Sequence, residues 1–443
     1  MNVPELSASL AELAHRAVEL ACAEGADHAE AGMSHDEGLS VSVRLGELES
    51  VERQKDRSLG ITVYKGQCKG SASTNDFSAQ GMAAVVGKAL SIAGFTAADS
   101  YAGLADPALL ASDPPELDLY HAWALEPEAA EAIALTAEQA ARDFDPRIQN
   151  SEGASVSTGG GVRAYANSHG FVGSYASSSH SISASVIAAA NGSLERDYWY
   201  TQARSPDDLE SAEAIGRKAA ERAVRRLDSR QVKTCVVPVL FTPELGRSLF
   251  GHLVAAISGT VQYRRASFLL DSVGEQVFPD WMQIVEDPHI PRGAGSAPFD
   301  GEGVATRRRM LIENGKVQGY LLSSYSARRL GLTTTGNAGG VHNLLVEPNA
   351  ESLATLQADC PAALVVTELL GQGVNTVTGD YSRGAAGYWI ENGKIAHPVS
   401  EVTIAGNLRD MLRSIVAVGA DVDLRGTVRS GAVQVDGMTV AGN

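Results

Sequence analysis

The chain has 443 residues with the composition of an ordinary globular protein, 44% hydrophobic and 20% charged, which is enough for two or three domains with their own cores. Its formal net charge of -17 argues against direct nucleic-acid binding, which needs clustered Lys and Arg to contact phosphates. The four cysteines are scattered and form no CxxC pair, so the sequence indicates neither a disulfide framework nor a zinc ribbon.

The N-terminus is an amphipathic sequence rather than a signal peptide, and it predicts a helix that ends near Gly25. No apolar run approaches the length of a membrane span, so we expect a cytoplasmic protein with no membrane attachment. The stretches "LSVSVRLGELESVERQ" and "LGITVYKGQCKGSAST" alternate at period two and predict half-buried strands. The stretch "FSAQGMAAVVGKALSIAG" then predicts a second helix.

The same plan recurs after a Pro- and Asp-rich linker over residues 99–119. A helix over "EPEAAEAIALTAEQAARDF" precedes Ser- and Gly-rich strands, and a helix over "DDLESAEAIGRKAAERAVRRL" follows them. The sequence therefore predicts an N-terminal α/β domain over residues 1–230. It consists of two helix–meander–helix units, at about 1–98 and 120–230.

Residues 231–443 predict a β-rich, barrel-like C-terminal domain, which makes the whole chain α+β. Two near-identical stretches, "IENGKV" and "IENGKI", each predict a hairpin with a two-residue Asn-Gly turn. Glycine is dense here, as tight corners of a coiled sheet require. The one clear helix is "TPELGRSLFGHLVAAISG", which begins at Thr242 and ends at Gly259.

The sequence contains no HExxH, GxSxG, P-loop or GxGxxG motif. Two stretches remain as candidate sites. "TGDYSRG" places Asp380, Tyr381, Ser382 and Arg383 on one predicted loop, which either contacts a peptide or partner or is fixed by an Asp–Arg pair. "TGNAGGVHN" contains His342 and forms either a backbone cradle for an anion or a tight turn.

Several long blocks resemble the TldD/PmbA family, peptidase family U62, and specifically its PmbA/TldE branch. They include "STNDFS", "RDYWYTQARS", "LFGHLVAAISG", "SFLLDSVGEQVFPDWMQI", "SYSARRLGLTTTGNAGGVHN" and "TELLGQGVNTVTGDYSRGAAGYWIENGKIAHPVSEVTIAGNLRDML". The resemblance implies a cytoplasmic protein with an α/β N-terminal region and a β-rich C-terminal domain. It also implies a metallopeptidase assembled from paired TldD and TldE subunits. Such pairs cleave antibiotic-precursor leader peptides and unfolded or antitoxin peptides.

In the TldD branch the helix that corresponds to "TPELGRSLFGHLVAAISG" carries HExxxH, and a later cysteine completes the metal site. In this sequence the three motif positions fall on Phe250, Gly251 and Ala255, and no cysteine follows Cys360. A zinc-like ion needs imidazole and thiolate ligands, and its bound water needs a general base. The resemblance therefore implies a degenerate site. His252 lies two residues from the first motif position, where we expect a hydrogen-bonded histidine at the edge of the apolar stripe.

These features predict a non-catalytic subunit with no metal or cofactor of its own. A TldD-like HExxxH partner would supply a zinc-like metal, and peptides would be the substrates. Two alternatives stay open, a metallopeptidase in its own right and a non-proteolytic regulator of gyrase or an antitoxin. The isolated chain could also form a homodimer.

Overall fold

The computed structural model describes residues 2–442 and is 25% helix and 40% strand. The first half contains the two predicted helix–meander–helix units, and the predicted α+β class is confirmed. The elements of the first unit are α1 (Val3–Ala23), β1 (His28–Arg44), β2 (Glu47–Lys65), β3 (Cys68–Thr74) and α2 (Ala79–Phe95). Those of the second are α3 (Pro127–Arg142), β4 (Ile148–Asn167), β5 (Val172–Ala190), β6 (Ser193–Ala203) and α4 (Ala212–Arg225).

The two units share one six-stranded antiparallel sheet in the order β3-β2-β1-β4-β5-β6. Strands β1 and β4 pair at its centre, so the second unit mirrors the first across this pair. Alanines on the buried faces of the helices, such as Ala14 and Ala137, allow a close approach to the sheet. Each unit thereby builds its own apolar core between its helices and the sheet.

The predicted linker over 99–119 has no helix or strand apart from a 3-10 turn at Pro107–Leu109. It is nevertheless packed, because Leu104 and Leu117 are buried. Leu110 forms a bridge with Val304 of the second half. This segment therefore joins the two halves of the protein through contacts as well as through the chain.

The second half is predominantly β. In the chain it follows the first sheet after α4 and the residues up to Cys235. Its strands are β7 (Cys235–Phe241), β8 (Ile284–Asp287), β9 (Arg309–Glu313), β10 (Lys316–Val317), β11 (Asn343–Val346), β12 (Ala362–Leu370), β13 (Asp380–Glu391), β14 (Lys394–Asn407), β15 (Ile415–Val418), β16 (Val428–Arg429) and β17 (Val433–Ala441). Its helices are α5 (Pro243–Ala256), α6 (Gly259–Tyr263), α7 (Ser324–Leu330), α8 (Leu353–Ala358) and α9 (Leu408–Arg413).

Strands β14, β13, β12, β7 and β17 form a closed barrel, because β14 also pairs with β17. A second sheet has the order β10-β9-β8-β11-β16, and the main core of this half involves both sheets and α5. The two predicted Asn-Gly turns are present. Asn314 and Gly315 have φ of 50° and 74°, and Asn392 and Gly393 have 50° and 75°, as two-residue hairpins between twisted strands require.

Within residues 2–442 no helix combines the length and the apolar character needed to cross a membrane.

Candidate functional site

Helix α5 is the helix that the sequence singled out, and it begins at the predicted place. Thr242 is the N-cap residue, but its hydroxyl caps no backbone N–H and has no hydrogen-bond partner. The helix ends at Ala256, before Gly259. Gly259 starts α6 instead, where an added Cβ would lie 2.4 Å from the Ser326 hydroxyl. The predicted stop is therefore wrong by one short turn, because Gly259 is needed for close packing.

Of the three degenerate positions, Phe250 lies on the buried face of α5, whereas Gly251 and Ala255 are one turn apart on its open face. Phe250 is 0% exposed and stacks on Phe278, with ring centroids 6.2 Å apart, inside the core of the second half. Gly251 faces open space, since an added Cβ would meet no atom within 4 Å. Ala255 is exposed. None of the three side chains carries an atom that could bind a metal or accept a proton.

His252 is half-buried on the same helix and makes an edge contact with Tyr381, with ring centroids 6.0 Å apart. Its Nε2 atom is buried and has no hydrogen-bond partner, so the expected hydrogen bond is absent at this nitrogen. Desolvation lowers the pKa of His252, and the charge of Arg383 lowers it further. The imidazole is therefore held neutral at neutral pH.

The stretch "TGDYSRG" is not a loop beyond Gly379, because Asp380 begins strand β13. Side chains alternate along a strand, and accordingly Tyr381 is buried and Arg383 half-buried, while Asp380 and Ser382 are exposed. Asp380 accepts a hydrogen bond from Thr378 at 2.6 Å. No ion pair joins Asp380 to Arg383 among residues 2–442. The prediction that the four residues share one loop is wrong, because pairing with β14 extends the ladder to Asp380.

Burial on β13 also changes the pKa of Tyr381. Tyr381 is 2% exposed, and its hydroxyl has no well-placed hydrogen-bond partner among residues 2–442. Desolvation raises its pKa to about 12, although the Arg383 guanidinium lowers it both by its charge and as a nearby hydrogen-bond donor. The phenol therefore stays protonated throughout the physiological range. Arg383 Nη2 donates to the Leu369 carbonyl at 3.5 Å, and its Nε has no partner.

His342 lies beside the second sheet, directly before β11, rather than with the residues of β13. Its Nε2 is 2.9 Å from the Gly336 carbonyl and its Nδ1 is 3.2 Å from the Gly295 carbonyl. Its backbone N–H donates to Glu286. The imidazole thus lies between two glycine-rich loops, where a neutral ring donates to one of the two carbonyls and a protonated ring to both.

These two loops form one wall of a cavity of about 760 Å³ between the halves of the protein. The other wall is the helix-free face of the first sheet, where Gly32 and Gly60 leave the backbone uncovered. Arg204 closes one side through hydrogen bonds to the Ser178 and Ala294 carbonyls. Asp300, also on the wall, accepts from the N–H groups of three residues, Glu302, Val304 and Ala338. This cavity could not be predicted from the sequence, because its walls come from segments that are far apart along the chain.

An ion-pair network fixes the first half to α5. Arg222 of α4 donates to Asp197 of β6 at 3.0 Å and to Glu244 of α5 at 2.8 Å. Its guanidinium also lies 5.1 Å from the ring centroid of Trp199. Arg226 adds contacts to Asp197 and, at 2.6 Å, to Glu368 of β12. The helix with the degenerate positions is therefore held by both halves.

The residues around α5 do not fit a metal ion. Across residues 2–442, no three or more His, Cys, Asp or Glu side chains are grouped so that they could hold one. On α5 itself His252 is the only imidazole, and Phe250 occupies core volume that a ligand would have to leave.

Comparisons with known proteins agree with the fold and with the resemblance. Family models match three consecutive segments, described as PmbA/TldA metallopeptidase domain 1 over 29–93, the central domain over 120–227 and the C-terminal domain over 234–442. The metalloprotease PmbA of Escherichia coli O157:H7 is 49% identical over 98% of this chain and 96% of its own length.

Two solved structures share the fold. A Bacteroides thetaiotaomicron protein, crystallised as a proposed modulator of DNA gyrase, is 28% identical with a TM-score of 0.92 over 98% of both chains. TldE from Thermococcus kodakarensis, at 21% identity, has a TM-score of 0.85 over 96% of this chain and 99% of its own, which is a likeness of fold alone. The three family models and the near-complete match to a curated relative establish that this chain is a member of the PmbA/TldA metallopeptidase family.

Proposed function

We propose that this chain is the metal-free subunit of a two-subunit metallopeptidase, in which a TldD-like partner carries HExxxH and the zinc-like metal. The proposal rests on the residues that α5 has at the three motif positions. Phe250, Gly251 and Ala255 occupy the three motif positions, and none of them has a ligand or base. The family is named for a metallopeptidase activity, so the metal must then come from another chain.

The side chains at these positions support a site that has lost its ligands, rather than a site whose ligands are rotated away from the metal. Phe250 cannot turn outward without leaving a hole beside Phe278 in the main core. Gly251 and Ala255 have no side-chain atoms beyond Cβ, so no rotation could bring a donor into place.

The contribution of this chain would be to bind and enclose the peptide. The cavity of about 760 Å³ lies between two walls rich in glycine and serine. Bare backbone and small side chains accommodate an extended peptide, whose own N–H and C=O groups can pair with them. A folded domain could not enter a space of this size. The predicted substrates are therefore peptides and unfolded segments, and the predicted cytoplasmic location is kept as a prediction from the family resemblance.

The test is reconstitution of the pair from its own cells. Tagged chain should co-purify with an HExxxH protein, and the mixture should cleave an unfolded peptide that neither subunit cleaves alone. Replacing the motif Glu of the partner should abolish cleavage, whereas no substitution at Phe250, Gly251 or Ala255 should be needed to obtain it. Elemental analysis should assign the metal to the partner alone.

Three results would contradict the proposal in different ways. About one zinc per isolated chain together with peptide cleavage would make this protein a metallopeptidase in its own right. A partner that is fully active alone and does not bind this chain would favour a non-proteolytic regulator. A stable homodimer that excludes the partner, measured by sedimentation, would also overturn the pairing.

A further inference from the structure

Four buried polar atoms that have no hydrogen-bond partner among residues 2–442 belong to side chains on α5 and β13. They are Ser248 Oγ, His252 Nε2, Tyr381 Oη and Arg383 Nε. Leaving such an atom unpaired away from water destabilises the folded state. Buried polar groups normally have partners, so a group of four requires an explanation.

The four side chains converge from two elements. Ser248 and His252 are one turn apart on α5 and therefore share a face. Tyr381 and Arg383 are two residues apart on β13 and point to the same side of the strand. The rings of His252 and Tyr381 touch edge to face, and the charge of Arg383 acts on both of them.

The four side chains together provide hydrogen-bond donors and one positive charge. The Arg383 guanidinium forms no ion pair with any Asp or Glu of residues 2–442, in a chain whose net charge is -17. The hydroxyls of Ser248 and Tyr381 and the Nε2 of a neutral His252 can each donate a hydrogen bond. A carboxylate, with two oxygens that only accept, matches such a set.

Open space lies beside residues that adjoin the group. Gly251, beside His252 on α5, faces open space, and Ala255 is exposed. Leu369, whose carbonyl accepts from Arg383, lines a cavity of about 300 Å³ that extends to Glu244 and Arg247 of α5.

We propose that Ser248, His252, Tyr381 and Arg383 form a carboxylate-binding site that anchors a carboxylate of the bound peptide beside the open face of α5. This assignment rests on the proposed function, because it takes the peptide as the ligand. The guanidinium of Arg383 would hold the substrate by its charge beside α5. This is the helix that corresponds to the HExxxH helix of the TldD branch.

The test measures binding to the full-length chain, alone and mixed with the HExxxH partner, by fluorescence anisotropy. Three labelled Ala/Gly peptides of equal length serve as probes. One has a free C-terminal carboxylate, one is C-terminally amidated, and one is amidated with a single internal Glu. We expect the amidated peptide without Glu to bind at least ten-fold more weakly than one of the other two. Which of those two binds distinguishes a terminal from a side-chain carboxylate.

Substitutions then assign the effect to this site. Arg383→Gln, and separately Tyr381→Phe, should remove the preference for the carboxylate peptide and leave the binding of the amidated peptide unchanged. Arg16→Gln, which removes an exposed positive charge from α1, is the matched control and should keep the preference. Tyr381→Phe deletes one oxygen and keeps the ring, so it covers the case in which Arg383→Gln fails to fold.

The proposal is overturned if carboxylate and amidated peptides bind equally in both preparations, or if both variants keep the preference. It is equally overturned if a crystal structure shows all four atoms bonded to ordered waters that persist with the carboxylate peptide bound. Failure of the partner to associate contradicts the proposed pairing but not this site, because the isolated chain is measured separately.

Discussion

Introducing the first two HExxxH residues on α5, at Phe250 and Gly251, should have opposite effects on the stability of the protein. The comparison tests whether core packing at Phe250 is incompatible with the motif. Phe250→His places an imidazole in a position that is 0% exposed and in contact with Phe278. Gly251→Glu places a side chain where an added Cβ meets nothing within 4 Å. The first change should therefore destabilise the protein strongly, and the second should not.

The magnitudes follow from the two environments. Loss of the aromatic pair costs about 0.5–1.5 kcal/mol, and burial of ring nitrogens without partners adds about 1–3 kcal/mol. Phe250→His should thus lower the free energy of unfolding by about 3 kcal/mol, a large part of the 5–15 kcal/mol typical of a folded protein. Gly251→Glu should raise it by about 0.5 kcal/mol, because Gly is among the poorest helix formers.

Urea unfolding followed by tryptophan fluorescence measures both values, with Phe250→Leu as the control that keeps an apolar side chain. The reasoning is refuted if Phe250→His unfolds at the same urea concentration as the wild type. It is also refuted if Gly251→Glu costs more than Phe250→His, since the open face of α5 would then be packed.

Three further changes test other parts of the molecule. Tyr381→Phe should raise the free energy of unfolding by about 1 kcal/mol, because it removes a buried hydroxyl without a partner, and urea titration measures this. Arg222→Met should lower it by about 2 kcal/mol, since Glu244 loses this cation and Asp197, 4% exposed, keeps only its 3.4 Å contact with Arg226; a double-mutant cycle with Asp197→Asn should recover part of the loss. Desolvation raises the pKa of Asp300 to about 6, so its contribution favours the folded state at low pH and is lost as pH rises through 6. The wild type should therefore gain about 1 kcal/mol relative to Asp300→Asn between pH 7 and pH 5, measured by urea unfolding at both values.

Local sequence patterns were sufficient for most of the fold. Period-two alternation identified parts of β1, β2 and β3, a Ser- and Gly-rich stretch indicated the strands of the second unit, and the duplicated order of helices and strands is present as predicted. The Asn-Gly turns at Asn314 and Asn392 were equally predictable, because few residues tolerate positive φ at two successive positions.

The candidate site was less predictable, for reasons that lie in its residues. The glycines around "TGDYSRG" indicated a loop, but Gly384 lies within the ladder of β12 and β13. Once Asp380 is part of a strand, alternation separates it from Arg383 and places Tyr381 in the core. The contact of His252 with Tyr381 joins segments far apart in sequence, and no local pattern contains that information. Four polar atoms without partners become visible only when the two segments are packed together.

The two faces of α5 differ in how far the fold itself accounts for their residues. Its buried face, with Leu249, Phe250 and Leu253, belongs to the main core and would be needed in any protein of this fold. Its open face needs another explanation, because Gly251 in a helix interior costs about 1 kcal/mol relative to Ala, and no atom of this chain requires the absence of a Cβ there. The proposed approach of a peptide to this face would give the absence of a side chain at Gly251 a role. In the same proposal Arg383, whose charge acts on His252 and which has no ion pair with an Asp or Glu of residues 2–442, would select a peptide with a carboxylate.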